Sequence, residues 1–203
     1  MNVSPELSQY IEEHIIPLYD HFDMAHQRDH VRMVISQSMQ LAERLDVDAD
    51  MVLAVAAFHD IGLCKGREHH HLVSAQMLLA DPQLPKWFSA EQLTTMAQAV
   101  EDHRASATDP PRSIYGRIVA EADRLIDPDT VIRRTIQFGQ EHYPQLSKEE
   151  QYERMVAHLH EKYGRNGYLK LWFPHSSNAK RLEQLRQIID DETLLRQKFN
   201  QFI

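Results

Sequence analysis

His30, the adjacent pair His59-Asp60, and Asp123 are the residues whose types and positions offer chemistry in this sequence. Each falls on or beside an apolar face. His30 sits next to Val31 and four residues before Val34, at the edge of an inward stripe. His59-Asp60 closes the most apolar segment of the chain, Val52-Leu53-Ala54-Val55-Ala56-Ala57-Phe58, and Asp123 shares a stripe with Val119 and Ile126. A buried ionisable group must find a partner or a metal to offset its lost hydration. One inward histidine usually just hydrogen-bonds, and one inward aspartate usually caps a helix or pairs with an arginine. Two imidazoles and two carboxylates from three helices instead suit a hard-to-borderline divalent cation with positions left for water or substrate. A rival motif, His26-Gln27-Arg28-Asp29-His30, spaces two histidines like a zinc-protease helix. It fails because Gln27 stands where the general-base glutamate is required, which leaves His26 as a group near the helix start, behind the ligands or against a substrate.

Helical elements must position these groups. Helical spacing runs along nearly the whole chain, and no run alternates long enough for a strand, so the fold class expected is all-α. Asp29 is placed to cap a helix with the stripe Val31, Val34, Ile35, Ser38, Leu41, Ala42 and Leu45. Asp48 opens a second helix, Met51 to about Ile61, with Gly62 as its left-handed terminator. Further helices are expected over His70 to Ala80, from Ser89 (boxed by Gln92) to about His103, and from Ser113 to Ile126. Beyond Asp127 the pattern gives Pro128 to His142, Ser147 (boxed by Glu150) to Tyr163, an irregular aromatic link, and a last helix from Asn178. Tyr168, Trp172 and Phe173 in that link are expected to pack a bundle end. No repeat or linker marks a boundary, so 1–203 is expected to be one domain, with a motif-bearing core at about 26–126 and helices 128–203 packing on it.

Composition excludes several classes. Twenty-two Lys and Arg against thirty Asp and Glu give a net charge of −8, which offers no basic field for a nucleic-acid polymer or an anionic membrane. The six glycines have no phosphate-loop spacing. The single cysteine, Cys64, forbids an internal disulfide framework and excludes thiolate zinc sites. The start has no secretory pattern and the longest apolar run, Met51 to Phe58, is far short of the roughly 20 residues of a membrane span. A cytoplasmic protein is the expectation. Against this background stand thirteen histidines, of which His14, His21, His142, His158, His160 and His175 fall on variable or polar faces and receive no role.

The residues carry a resemblance. The order His, His-Asp, Asp resembles that of the HD-domain superfamily of metal-dependent phosphohydrolases, particularly its small stand-alone bacterial-type members. It is met by Asp29-His30-Val31-Arg32-Met33-Val34, by Ala56-Ala57-Phe58-His59-Asp60-Ile61-Gly62 and by Ile118-Val119-Ala120-Glu121-Ala122-Asp123-Arg124-Leu125. Asn178-Ala179-Lys180-Arg181-Leu182 is similar to the terminal helix of such members. The resemblance implies a helical bundle and a metal-activated water attacking a phosphate ester or anhydride of a nucleotide or small molecule. His30, His59, Asp60 and Asp123 would hold the metal (Mn, Fe, Mg, Co, Ni or Zn). Some branches hold a second ion with histidines between the doublet and the last aspartate, which here would be His71 and His103 with Asp60 bridging. His70 takes the place of His71 if its helix is rotated, and the competing reading is a solvated His69-His70-His71 helix start with His103 behind the ligands or against substrate.

Lys65, Arg67 and Arg104 are the candidate cations for a substrate phosphate, with solvated loop charge as the equal alternative. No Gly-Tyr-Pro signature is present, so cleavage of cyclic dinucleotides is not supported. Two other readings within the same fold are a catalytically silent module that senses a nucleotide or metal, and a di-iron oxygenase. The expected partners are a small phosphate substrate and, in a homodimer, a second copy of the chain; nucleic-acid polymers and membranes are not expected.

Overall fold

The computed structural model describes residues 2–22, 26–105, 109–124 and 126–203. They form helices and connecting turns, with no strand among the described residues. The chain divides into two compact units, Met1–Arg124 and Leu125–Ile203. No helix among the described residues is long and apolar enough to cross a membrane.

The first unit is organised around one helix. In chain order it contains α1 (Pro5–Tyr10), an irregular helical stretch over Ile11–Ile15 and Ile16–His21, α2 (Arg28–Ala42), α3 (Ala49–Phe58), a 3-10 turn (Ile61–Lys65), α4 (His70–Ala80), α5 (Ala90–Glu101) and α6 (Ile114–Ala122). Every residue from Met51 to Gly62 is buried. A helix apolar on all sides has no face to give to water, so neighbours must surround it. Here α2, α5 and α6 pack against α3, and the irregular N-terminal stretch adds Ile11, Ile15, Ile16 and Tyr19 to the same core.

Local signals explain most of the boundaries. Asp48 caps α3 by accepting from the Asp50 and Met51 N–H groups at 2.9 and 3.3 Å, which satisfies donors with no partner inside the helix. Ser89 and Gln92 form the expected capping box of α5. Asp29 is not a cap: α2 starts at Arg28 behind Gln27, and Asp29 sits in the first turn, where its charge favours the helix N-terminus. The buried stripe of α2 is Val31, Val34, Ser38 and Ala42, with Ile35, Leu41 and Leu45 half-buried.

Gly62 departs from its expected role. Helix α3 ends at Phe58, and the only glycine with a left-handed φ among the described residues is Gly66, at 104°. Gly62 is required for closeness instead. Its N–H donates to the Ser74 hydroxyl at 2.8 Å, and a Cβ there would lie 2.2 Å from the His70 carbonyl and 2.6 Å from the Ser74 nitrogen. The start of α4 therefore lies directly on the backbone two residues after Asp60.

The second unit packs α7 (Pro128–His142), α8 (Lys148–Tyr163), α9 (Ser177–Asp190) and α10 (Glu192–Phe202) around Ile132, Ile136, Met155, Leu159, Leu185 and Phe199. Asp127, Ser147 with Glu150, and Ser176 cap the first three. The expected single last helix is broken at Asp191, whose extended backbone ends α9 and whose side chain caps α10 through the Leu194 N–H at 3.0 Å. In the aromatic link Trp172 and Phe173 are half-buried, whereas Tyr168 is exposed and does not pack as expected.

The Gly62 contact yields a prediction. Gly62→Ala forces the α4 start away from the doublet and destabilises the fold by about 1–3 kcal/mol, the usual range for overpacking. Urea unfolding measures it, and a change below about 0.5 kcal/mol would show that the close approach is not needed.

Candidate metal centre

The ends of helices build the site. His59 directly follows α3, Asp123 directly follows α6, His103 lies just past α5, and His70 is the first residue of α4. The last carbonyls of a helix have no partner inside it. Two of these imidazoles take such carbonyls: His59 Nδ1 is 2.8 Å from the Ala56 oxygen and His103 Nδ1 is 2.6 Å from the Val100 oxygen. His70 makes the equivalent bond at the other kind of end, with Nδ1 2.8 Å from the Arg67 oxygen. A carbonyl only accepts, so each Nδ1 carries the proton and each Nε2 presents a lone pair.

Those lone pairs converge on carboxylates. His30 Nε2 lies 3.2 Å from His59 Nε2 and 3.2 Å from Asp123 Oδ1, while His59 Nε2 lies 3.3 Å from Asp60 Oδ2. On the other side of Asp60, His70 Nε2 is 3.3 Å and His103 Nε2 3.4 Å from Asp60 Oδ1, and the two nitrogens are 3.1 Å apart. The donors thus form two groups, His30-His59-Asp60-Asp123 and Asp60-His70-His103, with the ligand atoms of each within 4.8 Å of one another. Each Asp60 oxygen serves one group.

Converging electron pairs repel unless a positive charge lies between them, so the donor set fits a divalent cation. Hydrogen-bonded outer partners on the ring nitrogens are the arrangement that orients metal-binding histidines. Protons are the other available cation. Burial disfavours the imidazolium of His30, but Asp123 and Asp60 outweigh it and hold its pKa above the usual value. The fully buried His59 is raised further, against the same burial effect, chiefly by the charge of Asp60. Burial also pushes the Asp60 and Asp123 carboxyls upward, yet the surrounding histidines more than compensate and both stay well below the ordinary carboxylate range.

Of the residues singled out in the sequence, His30, His59, Asp60 and Asp123 meet in one group and His103 joins Asp60 in the other. His71 is a correction: His70 occupies that position. Successive residues of a helix are rotated by about 100°, so only one of the two can face the doublet, and the His70 Nδ1 bond to Arg67 sets which. The His71 Nδ1 is buried without a hydrogen-bond partner, and burial together with the Arg104 charge pushes its pKa down to about 4. Lys65 and Arg67 are exposed in the turn after the doublet, and the Arg104 guanidinium donates to the Glu68 carbonyl at 3.1 Å. The His26 ring lies edge-on to His30 at 5.5 Å.

Tyr19 went unread in the sequence. Its buried hydroxyl donates to the Ala57 carbonyl at 2.9 Å and accepts the Asp60 N–H at 3.3 Å, so it terminates α3 at the doublet. Burial first, then the Asp60 charge, raises the phenol well above its ordinary pKa and keeps it a donor.

Comparison with known proteins bears on this arrangement. The family model described as HD domain matches residues 28–126, a span that contains every residue of both groups. The chain carries an HD domain. The crystal structure of a predicted HD superfamily hydrolase from an uncultured Thermotogales bacterium is similar in fold. It superposes with a TM-score of 0.53 at 21% identity, over 78% of this chain and 89% of that one. A search of curated proteins finds no match. The HD domain thus accounts for the helical fold and for the His, His-Asp, Asp order, and HD domains bind divalent metals through such sets.

The HD centre predicts a pH signature. In metal-free protein, protonated His30 and His59 have raised pKa values, so their stabilisation is complete below about 6.5 and fades as pH rises through the folded values. Bound metal replaces those protons, so it stabilises more as pH rises. The Mn-induced increase in Tm should be larger at pH 8 than at pH 6 by calorimetry; an increase that shrinks over that interval contradicts the ligand assignment.

Proposed function

We propose that this HD domain is a metal-dependent phosphohydrolase acting on a nucleotide or a small phosphate ester or anhydride. The observation that carries the reading is the division of the Asp60 carboxylate, with Oδ2 beside His30 and His59 and Oδ1 beside His70 and His103. One carboxylate between two donor groups suits a pair of cations. A divalent cation in such a site supplies a water nucleophile near neutral pH and positive charge for a phosphate oxygen.

The chain's own residues supply the rest. His30, His59, Asp60 and Asp123 make a four-donor set, and Asp60, His70 and His103 a three-donor set, which leaves positions for water and a phosphate oxygen. The Nδ1 bonds to Ala56, Arg67 and Val100 keep the rings from turning as ligands exchange. The chain as a whole carries −8 and repels anions, so the substrate phosphate needs local positive charge. Lys65, Arg67 and Arg104 border the two groups in sequence and are the residues for that role.

The second histidine pair also favours one other reading, a di-iron oxygenase, because iron accepts the same imidazole and carboxylate donors. A panel of phosphate esters assayed with Mg, Mn, Fe, Co and Ni, alongside oxygen uptake, separates the two. Asp60→Ala should lose metal from both groups and lower phosphate release at least 1000-fold, on the scale of losing a principal catalytic group, while the helical circular dichroism stays. Asp60→Ala protein with full activity on the best substrate would sink the assignment. Iron content with oxygen uptake and no phosphate release would replace it by the oxygenase, and nucleotide binding without turnover by a sensing module.

A further inference from the structure

The Tyr19 hydroxyl stands where helix α3 stops, against an aspartate 41 residues further along the chain. In a helix continued past Phe58, the Asp60 N–H would donate to the Ala56 carbonyl and the Ile61 N–H to the Ala57 carbonyl. Tyr19 takes one member of each pair instead. Its hydroxyl donates to the Ala57 oxygen at 2.9 Å and accepts the Asp60 N–H at 3.3 Å. The Asp60 backbone accordingly leaves helical values, at φ −115° and ψ 3°. The Ala56 oxygen is taken by His59 Nδ1 at 2.8 Å. One phenol therefore stands in for two helix bonds at the point where the His59 ring and the Asp60 carboxylate turn towards the centre.

The phenol itself is held on several sides. Tyr19 is fully buried in one core with Ile11, Ile15 and Ile16. The Phe22 ring stands edge-on to it at 5.3 Å, and the His59 ring lies 6.4 Å away. The stretch Ile16–His21 that carries it packs on α2 and on the turn after the doublet. That stretch also lies outside residues 28–126, the span that matches the HD domain. We infer that Tyr19 is a positioning residue of the metal centre, supplied by the segment ahead of the HD-matched span, whose hydroxyl fixes the direction of the His59 Nε2 lone pair and of both Asp60 oxygens; its effect on turnover rests on the phosphohydrolase reading. Without the hydroxyl, the Asp60 N–H regains the Ala56 carbonyl and competes with His59 Nδ1 for it, so the doublet turns away from its partners. Asp60 belongs to both donor groups, so both lose metal affinity together.

Tyr19→Phe removes the oxygen and keeps the ring. Calorimetric titration of the full chain with Mn is expected to give a Kd at least about tenfold weaker than wild type for each ion bound, equivalent to about 1.4 kcal/mol. On the best ester at saturating Mn, kcat falls at least about tenfold while KM changes less than about twofold. Ile16→Val is the control: it trims the same buried stretch without touching either bond, lowers Tm, and leaves Mn affinity and kcat within about twofold of wild type. Unchanged Mn affinity in Tyr19→Phe, or an equal loss in Ile16→Val, would overturn the assignment. So would a Tyr19→Phe chain that fails to fold while Ile16→Val folds, since Tyr19 would then serve the fold alone. Weakened Mn binding in Tyr19→Phe with no ester hydrolysed by the wild type keeps Tyr19 in this role and removes the hydrolase reading. Hydrolysis by the wild type with no weakening does the reverse.

Discussion

The Asp60 carboxylate is the constraint on which the rest of the first unit depends. A buried aspartate with two oxygens, each 3.3–3.6 Å from two imidazole nitrogens, can be held there only if the backbone around it is fixed from several directions. The structure does this with helix ends rather than loops. Helix α3 is enclosed on all sides and stops at Phe58, the Tyr19 hydroxyl bridges Ala57 and Asp60, and Gly62 lets α4 arrive close enough for His70 to reach across. At His59 and His103, bonds from Nδ1 to a carbonyl three residues back serve two purposes at once. They satisfy acceptors that the end of a helix leaves open, and they turn the other nitrogen of the ring towards the centre.

Much of this was legible in the sequence, for physical reasons that also mark its limits. His30, His59, Asp60 and Asp123 stand out because charge at the border of an apolar stripe is expensive, and the stripes themselves are set by helical periodicity. The caps at Asp48, Ser89, Ser113 and Ser147 are local signals and appear where the residue types place them. The choice between His70 and His71 is different. It depends on the phase of α4, a matter of one residue, and that phase is set by contacts with Gly62 and Arg67 that are tertiary. Tyr19 lies in the short 3-10 stretch Ile16–His21 that follows the π-helical one over Ile11–Ile15, so no regular face marks it. Gly62 does not take its expected positive φ for a related reason: which glycine does so depends on where the chain turns back, and the 3-10 turn over Ile61–Lys65 delays that turn to Gly66.

The scarcity of phosphate-binding glycine loops fits this account. On the proposed phosphohydrolase reading, a chain of net charge −8 with no such loop would attract a phosphate through a concentrated local charge, and cations in a histidine and carboxylate set are one physical means of providing it. The surplus of histidine is only partly taken up in this way. Four of the thirteen form the two donor groups, and His71 is left beside them with a depressed pKa that favours its neutral form.

The central claim is that one carboxylate serves two metal positions. Anomalous diffraction from crystals grown with Mn tests it most directly. The account predicts two anomalous peaks flanking the Asp60 carboxylate, one contacted by His30, His59 and Asp123 and the other by His70 and His103. A single peak, or a second peak contacted by His71 in place of His70, would contradict it.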